Sequence, residues 1–565
     1  MPRPGVGDGV LMSFTPDVIV VGAGLAGLVA THELSKVGKR VLVVEQENRK
    51  NLGGQAFWSL GGLFFVDSPE QRRTGIKDSP ELALQDWFGS AAFDRLEDED
   101  AWGRRWAEAY VAWAAGDKRA YLRELGHRVL PMVGWAERGD GSATGHGNSV
   151  PRFHLTWGTG PRLVETFADP VLKAETGGLV EFAFRHQVDE LLTANGAVVG
   201  VRGSVLEPDE SARGVKSSRT VVREFEHHAA AVVVTSGGIG HNHALMRENW
   251  PTQRLGEAPD HLISGVPAHV DGRMLAITES AGGRIVNRDR LWAYTEGIIN
   301  WDPVWPDHGI RILPGPSSLW FDANGRRLTG MSGVPGADSL GAMKQILATG
   351  HDYSWFVLTQ SIIEKEFALS GSEQNPDITG RDIKFLLKSR LAKGAPGPVE
   401  SFKQHGVDFV VAETLPELVE QMNEIARGPK LDPADLERQI VARDREFANP
   451  FTKDVQVMTI HNARRSRMDK LVRVAKPHRI LDPAHGPLIA VRLNILSRKT
   501  LGGLQTNLDS QVLGADGEPV PGLYAAGEVA GFGGGGVHGH NALEGTFLGG
   551  CIFSGRAAGM ALARD

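Results

Sequence analysis

Val18-Ile19-Val20-Val21-Gly22-Ala23-Gly24-Leu25-Ala26-Gly27 is followed by a stretch of helical spacing and then by Val41-Leu42-Val43-Val44-Glu45. Two short, wholly apolar runs on either side of a helix-length segment are the pattern of parallel strands buried on both faces. The glycines between them have separate reasons to be there. Gly22 permits a tight turn, Gly24 leaves the backbone bare to an approaching pyrophosphate, and Gly27 lets helix and strand pack closely. The helix that follows offers unpaired N–H groups and the positive end of its dipole. Glu45 ends the second strand, where a carboxylate accepts both hydroxyls of an adenosine ribose. A GxGxxG alone is common in tight turns, but strand, helix and acid together predict a dinucleotide site. The contacts expected from this unit are Gly22, Ala23, Gly24, Leu25, Ala26, Gly27, Glu45 and Gln46.

The 565 residues suffice for more than one domain. A net charge of −7 leaves no basic footprint for nucleic acid. The one cysteine, Cys551, excludes internal disulfides, cysteine-ligated iron–sulfur clusters and multi-cysteine zinc sites. Such usage fits a reducing, cytoplasmic location. Cys551 lies in an apolar helical run and reads as a small packed hydrophobe. The first ten or so residues lack the apolar core of a signal peptide, and no run of eighteen apolar residues predicts an integral membrane segment. The 70 glycines gather at the two ends of the chain, where a bound cofactor needs bare backbone.

Beyond the second strand, Leu52-Gly53-Gly54-Gln55-Ala56-Phe57-Trp58-Ser59 is a small-residue loop able to run along a flat ring, with Gly53, Gly54, Gln55, Ala56 and Ser59 as contacts. Residues 80–125 read as amphipathic helices and 161–174 as another. Residues 179–184, 188–193 and 197–202 read as strands, the last two joined by the hairpin signal Ala194-Asn195-Gly196, and Val188 is an expected contact. Residues 230–235 form a further buried strand running into Ser236-Gly237-Gly238, and 272–283 a helix. From about 286 tryptophans and prolines become frequent. Thr414 and Glu417 form a capping box, and residues 488–493 read as a strand. The expected fold is α/β, a Rossmann-like domain with a central parallel sheet and β-meander, interrupted by a mixed α+β capping domain. Its divisions are 14–285, 286–490 and 491–565. Glycines near 283 and 486 are candidate hinges for closure of the cap.

The C-terminal end carries a second set of small residues. Leu523-Tyr524-Ala525-Ala526-Gly527-Glu528 is a short strand ending in an acid, and Gly545-Thr546-Phe547-Leu548-Gly549-Gly550 opens a helix. Gly527, Glu528, Gly545, Thr546 and Leu548 are expected contacts, because a helix N-terminus aimed at a flavin's pyrimidine edge stabilises negative charge there. Gly533-Gly534-Gly535-Gly536 implies a ligand that orders it, given the entropy cost of fixing four glycines.

With these residues the chain resembles the fumarate reductase and 3-ketosteroid Δ1-dehydrogenase superfamily of FAD flavoproteins, closest to the ketosteroid branch. The resemblance implies FAD, its ADP half on Gly22, Gly24, Gly27 and Glu45 and its ring beside residues 55–59 and the Gly545 helix. It implies non-covalent attachment, since Gly54-Gln55-Ala56 has no histidine where covalent members often carry one, and an external electron acceptor. Dicarboxylate reductases of the superfamily carry an arginine clamp in a motif resembling His-Gly-Xaa-Asn-Arg-Leu-Gly-Gly. Here His538-Gly539-His540-Asn541-Ala542-Leu543-Glu544-Gly545 puts Ala542 in the arginine's place, although Arg498 and Lys499 stay as cations. The ketosteroid branch uses a tyrosine hydroxyl and a glycine N–H to polarise a ketone, plus a base. Gly545 matches the glycine, and Asn541 stands where that tyrosine is expected. Tyr294 is the candidate base, Tyr353 the other tyrosine of the inserted region, and His540 or His538 a further base or donor. His154 either approaches the substrate or fills its loop. No metal is expected, because His538/His540 and His241/His243 lack further ligands. The implied activity is dehydrogenation of a CH–CH bond next to the ketone of a small apolar, steroid-like substrate. The alternatives are a fumarate or enoate reductase and a flavoprotein electron-transfer subunit.

Overall fold

Val18–Val21 and Val41–Glu45 are parallel neighbours, in register from Val18↔Val41 to Val21↔Val44, and every residue of the first is buried. That double-sided burial is why neither run alternates. Ala231–Val234 pairs on the other side of Val18–Val21, Val180–Phe184 lies outside Val41–Glu45, and Pro519–Ala525 extends the sheet beyond Ala231–Val234, all parallel. Gln511–Leu513 closes that edge antiparallel, completing six strands. The C-terminal segment therefore adds strands to the sheet that the N-terminal segment opens. The computed structural model describes residues 14–135, 137–391 and 394–564. The expectation of no signal peptide falls outside them.

Leu25–Lys36 packs on this sheet with Thr546–Arg564. A Cβ on Gly555 would stand 2.5 Å from the Ala26 carbonyl oxygen, and one on Gly559 2.7 Å from Glu33 Cβ, so glycine sets how closely these helices approach. Thr546–Arg564 is long and apolar enough to cross a membrane by composition, a point the apolar-run criterion passes over. It is a core helix here, 61% of that window being buried inside the protein. Gly27 packs as its place in the motif predicts: a Cβ there would lie 2.1 Å from the Gly22 carbonyl oxygen and 2.7 Å from Thr235 Oγ1. Gly27→Ala is expected to cost about 1–3 kcal/mol through overpacking, read as a lower denaturant midpoint. An unchanged midpoint would contradict this packing.

The meander consists of His186–Ala194, Ala197–Leu206 and Val221–His228. Asn195 and Gly196, with φ of 53° and 79°, make the predicted tight turn. The third strand is missed by pattern because it is mostly exposed and charged. The helices expected over 80–125 are Pro80–Ala91, Ala101–Ala115 and Lys118–Glu124. The Thr414/Glu417 capping box is formed, at the start of Leu415–Ile425.

A second, eight-stranded sheet is organised around Leu488–Thr500, a strand of 13 residues. Tyr353–Thr359 and Phe409–Ala412 pair with its first half, Leu291–Ile299 and Leu262–Ser264 with its second. The strand runs seven residues beyond the predicted end at 493, because Arg498-Lys499-Thr500 continues the ladder while reading as polar loop. The division at 490/491 falls inside this strand. Its last residue, Thr500, donates its N–H to Glu528, just past the end of Pro519–Ala525 in the first sheet, and next to it Ile285–Val286 pairs with Gly503–Leu504, so the two chain crossings run side by side.

Four buried imidazoles make the fold acid-sensitive. Burial holds His127 and His154 down at about 4, and His308 and His538 at about 3. The unfolded chain takes up protons at these rings below about pH 6.5, while the folded chain does not until about pH 4 or 3. Stability present above pH 6.5 is therefore lost as pH falls, at up to about 1.4 kcal/mol per pH unit for each ring. Thermal midpoints are expected to drop between pH 6.5 and 4.5. A flat profile over that range would contradict this assignment.

Candidate active site

A cavity of about 2100 Å³ runs from the glycine turn to the second sheet. A single drug-sized ligand needs about 300–1,000 Å³, so there is room for a dinucleotide and a second molecule.

At the glycine turn the cavity is lined by Gly22, Gly24, Leu25, Ala26, Glu45 and Gln46. A Cβ on Gly24 would have only the Thr235 carbonyl oxygen nearby, at 3.9 Å, and would otherwise point into open space. Leu25–Lys36 carries no capping side chain and no acid in its first turn, leaving its N-terminus to an anion. Glu45 is held by two backbone donors, Ala23 N at 2.8 Å and Glu47 N at 2.9 Å, and it faces the cavity. Gln46 Nε2 donates to the His269 carbonyl, and Val188, Ser236 and Gly237 add to the wall. Ala23 and Gly27 stand behind this surface. Gly238 does too: a Cβ there would meet Glu528 Oε1 and Thr500 Oγ1 at 2.4 Å, so its bareness serves Glu528.

In the middle lie Gly53, Gly54, Gln55, Ala56 and Ser59, and opposite them Gly527, Glu528, Gly545, Phe547, Leu548 and Cys551. Glu528 accepts from Thr500 N at 2.9 Å and from Gln55 Nε2, while Lys499 Nζ donates to Gln55 Oε1. Residues 55, 499, 500 and 528 thus form one polar unit although sequence separates them widely. Burial lowers the Lys499 ammonium, and Glu528 opposes that shift. Cys551 packs against the core, as its apolar helix predicts, and also touches the cavity wall, its thiol pushed up to about 12 by burial. Thr546 is turned from the cavity, its hydroxyl shared with His538 Nε2 at 2.9 Å. Gly545 needs its positive φ of 87° and the close approach of Phe64 N, which donates to its carbonyl at 3.0 Å. Its own N–H has no protein partner among the described residues.

Beside Gly545 the wall is charged. Tyr294 donates its hydroxyl proton to Glu544 Oε1 at 2.8 Å, and Arg311 Nη1 donates to the same oxygen at 2.6 Å. The Arg311 guanidinium also lies over the Tyr294 ring, 3.6 Å from its centre. Behind it are Glu137 at 3.4 Å and Glu296 at 3.7 Å. Burial, with the Glu544 charge, pushes the Tyr294 hydroxyl well above its usual range, so it is protonated at neutral pH. Burial works against the Arg311 charge, and Glu296, Glu544 and Glu137 more than restore it. Burial raises Glu296, whose Oε1 has no partner. Arg311, Glu137 and Glu296 are missed by motif reading. For Glu296 and Arg311 the signal available was a charge inside each of two buried strands, Leu291–Ile299 and Gly309–Leu313; Glu137, outside any strand, carried none.

Several expected residues are not brought to the cavity. Asn541 is buried elsewhere with Oδ1 unpaired, and His540 pairs through Nε2 with Asp94 Oδ2 at 3.1 Å. His538 stacks on Trp87. His154 lies not in a loop but in the strand Phe153–Thr156, buried and bonded to Ser68 Oγ and the Arg152 carbonyl. Tyr353 is buried in the second sheet, its ring beneath the Arg427 guanidinium. His241 and His243 bond to the Val266 carbonyl and Ser264 Oγ. The tetraglycine tract is a correction. None of Gly533 to Gly536 lines the cavity, and added Cβ atoms would collide with Trp106, Gly103, Val286 and Asn287. Protein packing, not a ligand, orders it.

The rest of the cavity wall is mostly apolar, with Leu130, Met132, Val133, Leu313, Val334 and Leu386, but it also carries Arg138, Lys365, Arg464 and Arg473.

Comparison with known proteins agrees with this geometry. The model of the FAD binding domain family matches residues 17–548. A KsdD-like steroid dehydrogenase of Mycobacterium tuberculosis is 61% identical over 551 residues, 98% of this chain and 96% of that protein. One of Mycolicibacterium smegmatis is 62% identical over 94% of this chain and 96% of its own length. The solved 3-ketosteroid Δ1-dehydrogenase of Sterolibacterium denitrificans has the same fold, with a TM-score of 0.67 at 16% identity over 98% of this chain and 100% of that one. The bare Gly24, the open helix end and Glu45 fit the ADP half of the family's cofactor. The chain belongs to the FAD-binding-domain family, and FAD is its cofactor.

Proposed function

We propose that this protein is an FAD-dependent dehydrogenase that forms a carbon–carbon double bond beside the ketone of a steroid-like substrate, in the manner of 3-ketosteroid Δ1-dehydrogenation. The observation that carries the reading is the Tyr294–Glu544 hydrogen bond, set beside Gly545 in a cavity whose wall is mostly apolar. The names of the relatives at 61% and 62% identity point the same way. FAD, when bound, supplies the two-electron acceptor that takes hydride from one carbon of the substrate.

The chain's own residues supply the rest. The unpartnered Gly545 N–H is a donor for the ketone oxygen, which acidifies the adjacent carbon. Tyr294 and Glu544 act as one base: the tyrosine oxygen takes the carbon-bound proton as its own O–H proton moves to Glu544. The electron pair of the broken C–H bond becomes the new double bond as hydride leaves the neighbouring carbon. Arg311 holds Glu544 and the Tyr294 ring in place for this transfer. Residues 286–490 cap the substrate and exclude water.

Fumarate reduction is the weaker reading. Arg311, Arg498 and Lys499 are cations lining the cavity, but each already donates to a protein acceptor: Glu544, the Gly265 carbonyl and Gln55. A dianion would have to displace these. An electron-transfer subunit would have no use for the apolar chamber. The reading includes dissociable FAD, an external acceptor and a cytoplasmic enzyme. Dye reduction by 3-ketosteroids tests it against oxidation of reduced dye by fumarate. Turnover only with fumarate would overturn it.

A further inference from the structure

Met132, Ile383, Phe385, Leu387 and Leu471 are 44%, 64%, 44%, 56% and 56% exposed. They come from three separate segments, Val129–Gly134, Ile383–Leu391 and Arg467–Val472. All except Phe385 also line the cavity, so they mark the rim of its opening. Exposed apolar side chains gathered from three segments around one opening mark a contact surface. This rim is also basic. Lys384, Lys388, Lys470 and Lys476 are exposed around it, against Asp382 and Glu364. Asp382 is engaged at the helix start, where its Oδ1 accepts from Lys384 N and Phe385 N. The chain as a whole carries −7, so the positive sign here is local.

We propose that this rim seats on the surface of a bilayer containing anionic phospholipid, the cavity mouth facing the acyl chains. Ile383, Phe385 and Leu387 enter the boundary between headgroups and hydrocarbon, and Lys384 and Lys388 extend to the phosphates. The lysines around the mouth supply the attraction to negative lipid. An apolar substrate then passes from lipid into an apolar chamber without crossing water. This goes beyond the proposed reaction, and its test needs no turnover, so the two stand or fall separately.

FAD-loaded protein is mixed with phosphatidylcholine vesicles, with and without phosphatidylglycerol, and the bound fraction is measured by flotation. Binding is expected to the anionic vesicles and to weaken as salt is raised. The triple variant Phe385→Ser, Lys384→Glu, Lys388→Glu touches no cavity-lining residue and is expected to lower partitioning by about tenfold or more. Its turnover of detergent-dispersed substrate is expected to stay at the parent level. Absence of binding to anionic vesicles would overturn the proposal. So would equal binding by the variant, or self-association through the patch, seen by sedimentation velocity, without vesicle binding.

Discussion

Tyr294→Phe is expected to lower turnover of a 3-ketosteroid by about 10²- to 10⁴-fold, the usual worth of a positioned acid–base group. The variant removes one oxygen from a buried ring. Arg311 continues to hold Glu544, so the charge left behind stays paired and the wall keeps its shape. FAD content and thermal midpoint should therefore remain near those of the parent protein. Tyr353→Phe is the control, since that ring lies in the second sheet away from the cavity. Its turnover should be unchanged. Loss of activity in the Tyr353 variant with retention in the Tyr294 variant would reverse the assignment.

The second large effect is expected at the other end of the cavity. Gly24→Asp places a carboxylate at the glycine turn to which the sequence assigns the pyrophosphate. Gly24 has φ of −73°, which any residue adopts, and its Cβ direction is open, so the folded chain accommodates the change. Aspartate at a helix N-cap is moreover a favourable residue, so the apoprotein should not lose stability. FAD affinity is expected to fall by at least about 100-fold, or about 2.8 kcal/mol, through like-charge repulsion and loss of the open helix end. Fluorescence titration of apoprotein with FAD reads the loss, and denaturant unfolding checks the fold. Unchanged FAD affinity would remove the glycine turn from the cofactor site. Gly27→Ala has the opposite signature, with stability lost by collision and no charge placed near the phosphates.

What the sequence made legible follows the range of the forces involved. The strand–turn–helix–strand unit, the meander hairpin and the capping box are set by neighbours a few residues apart, and each is formed as read. The convergence of the two termini was legible because each end carries its own small-residue signature. Long-range polar partnerships were not. Nothing near Glu544 in the chain announces Tyr294 and Arg311, which lie more than 230 residues away in other strands. Asn541 and His540 fit the motif spacing, yet the turn before Thr546–Arg564 directs them away from the cavity. The crowding of the Gly533 to Gly536 tract comes from Trp106 and Asn287, which no local pattern brings near. The Leu488–Thr500 strand outran its reading for a related reason, its polar end being satisfied by cross-strand pairing and by Glu528.

The most direct measurement is anaerobic mixing of the FAD-loaded protein with a 3-ketosteroid, followed by flavin absorbance. Rapid bleaching of the bound flavin, absent with saturated hydrocarbons and slowed by Tyr294→Phe, is the predicted result. A flavin that stays oxidised with every ketosteroid, or a chain that takes up no FAD at all, would contradict the account.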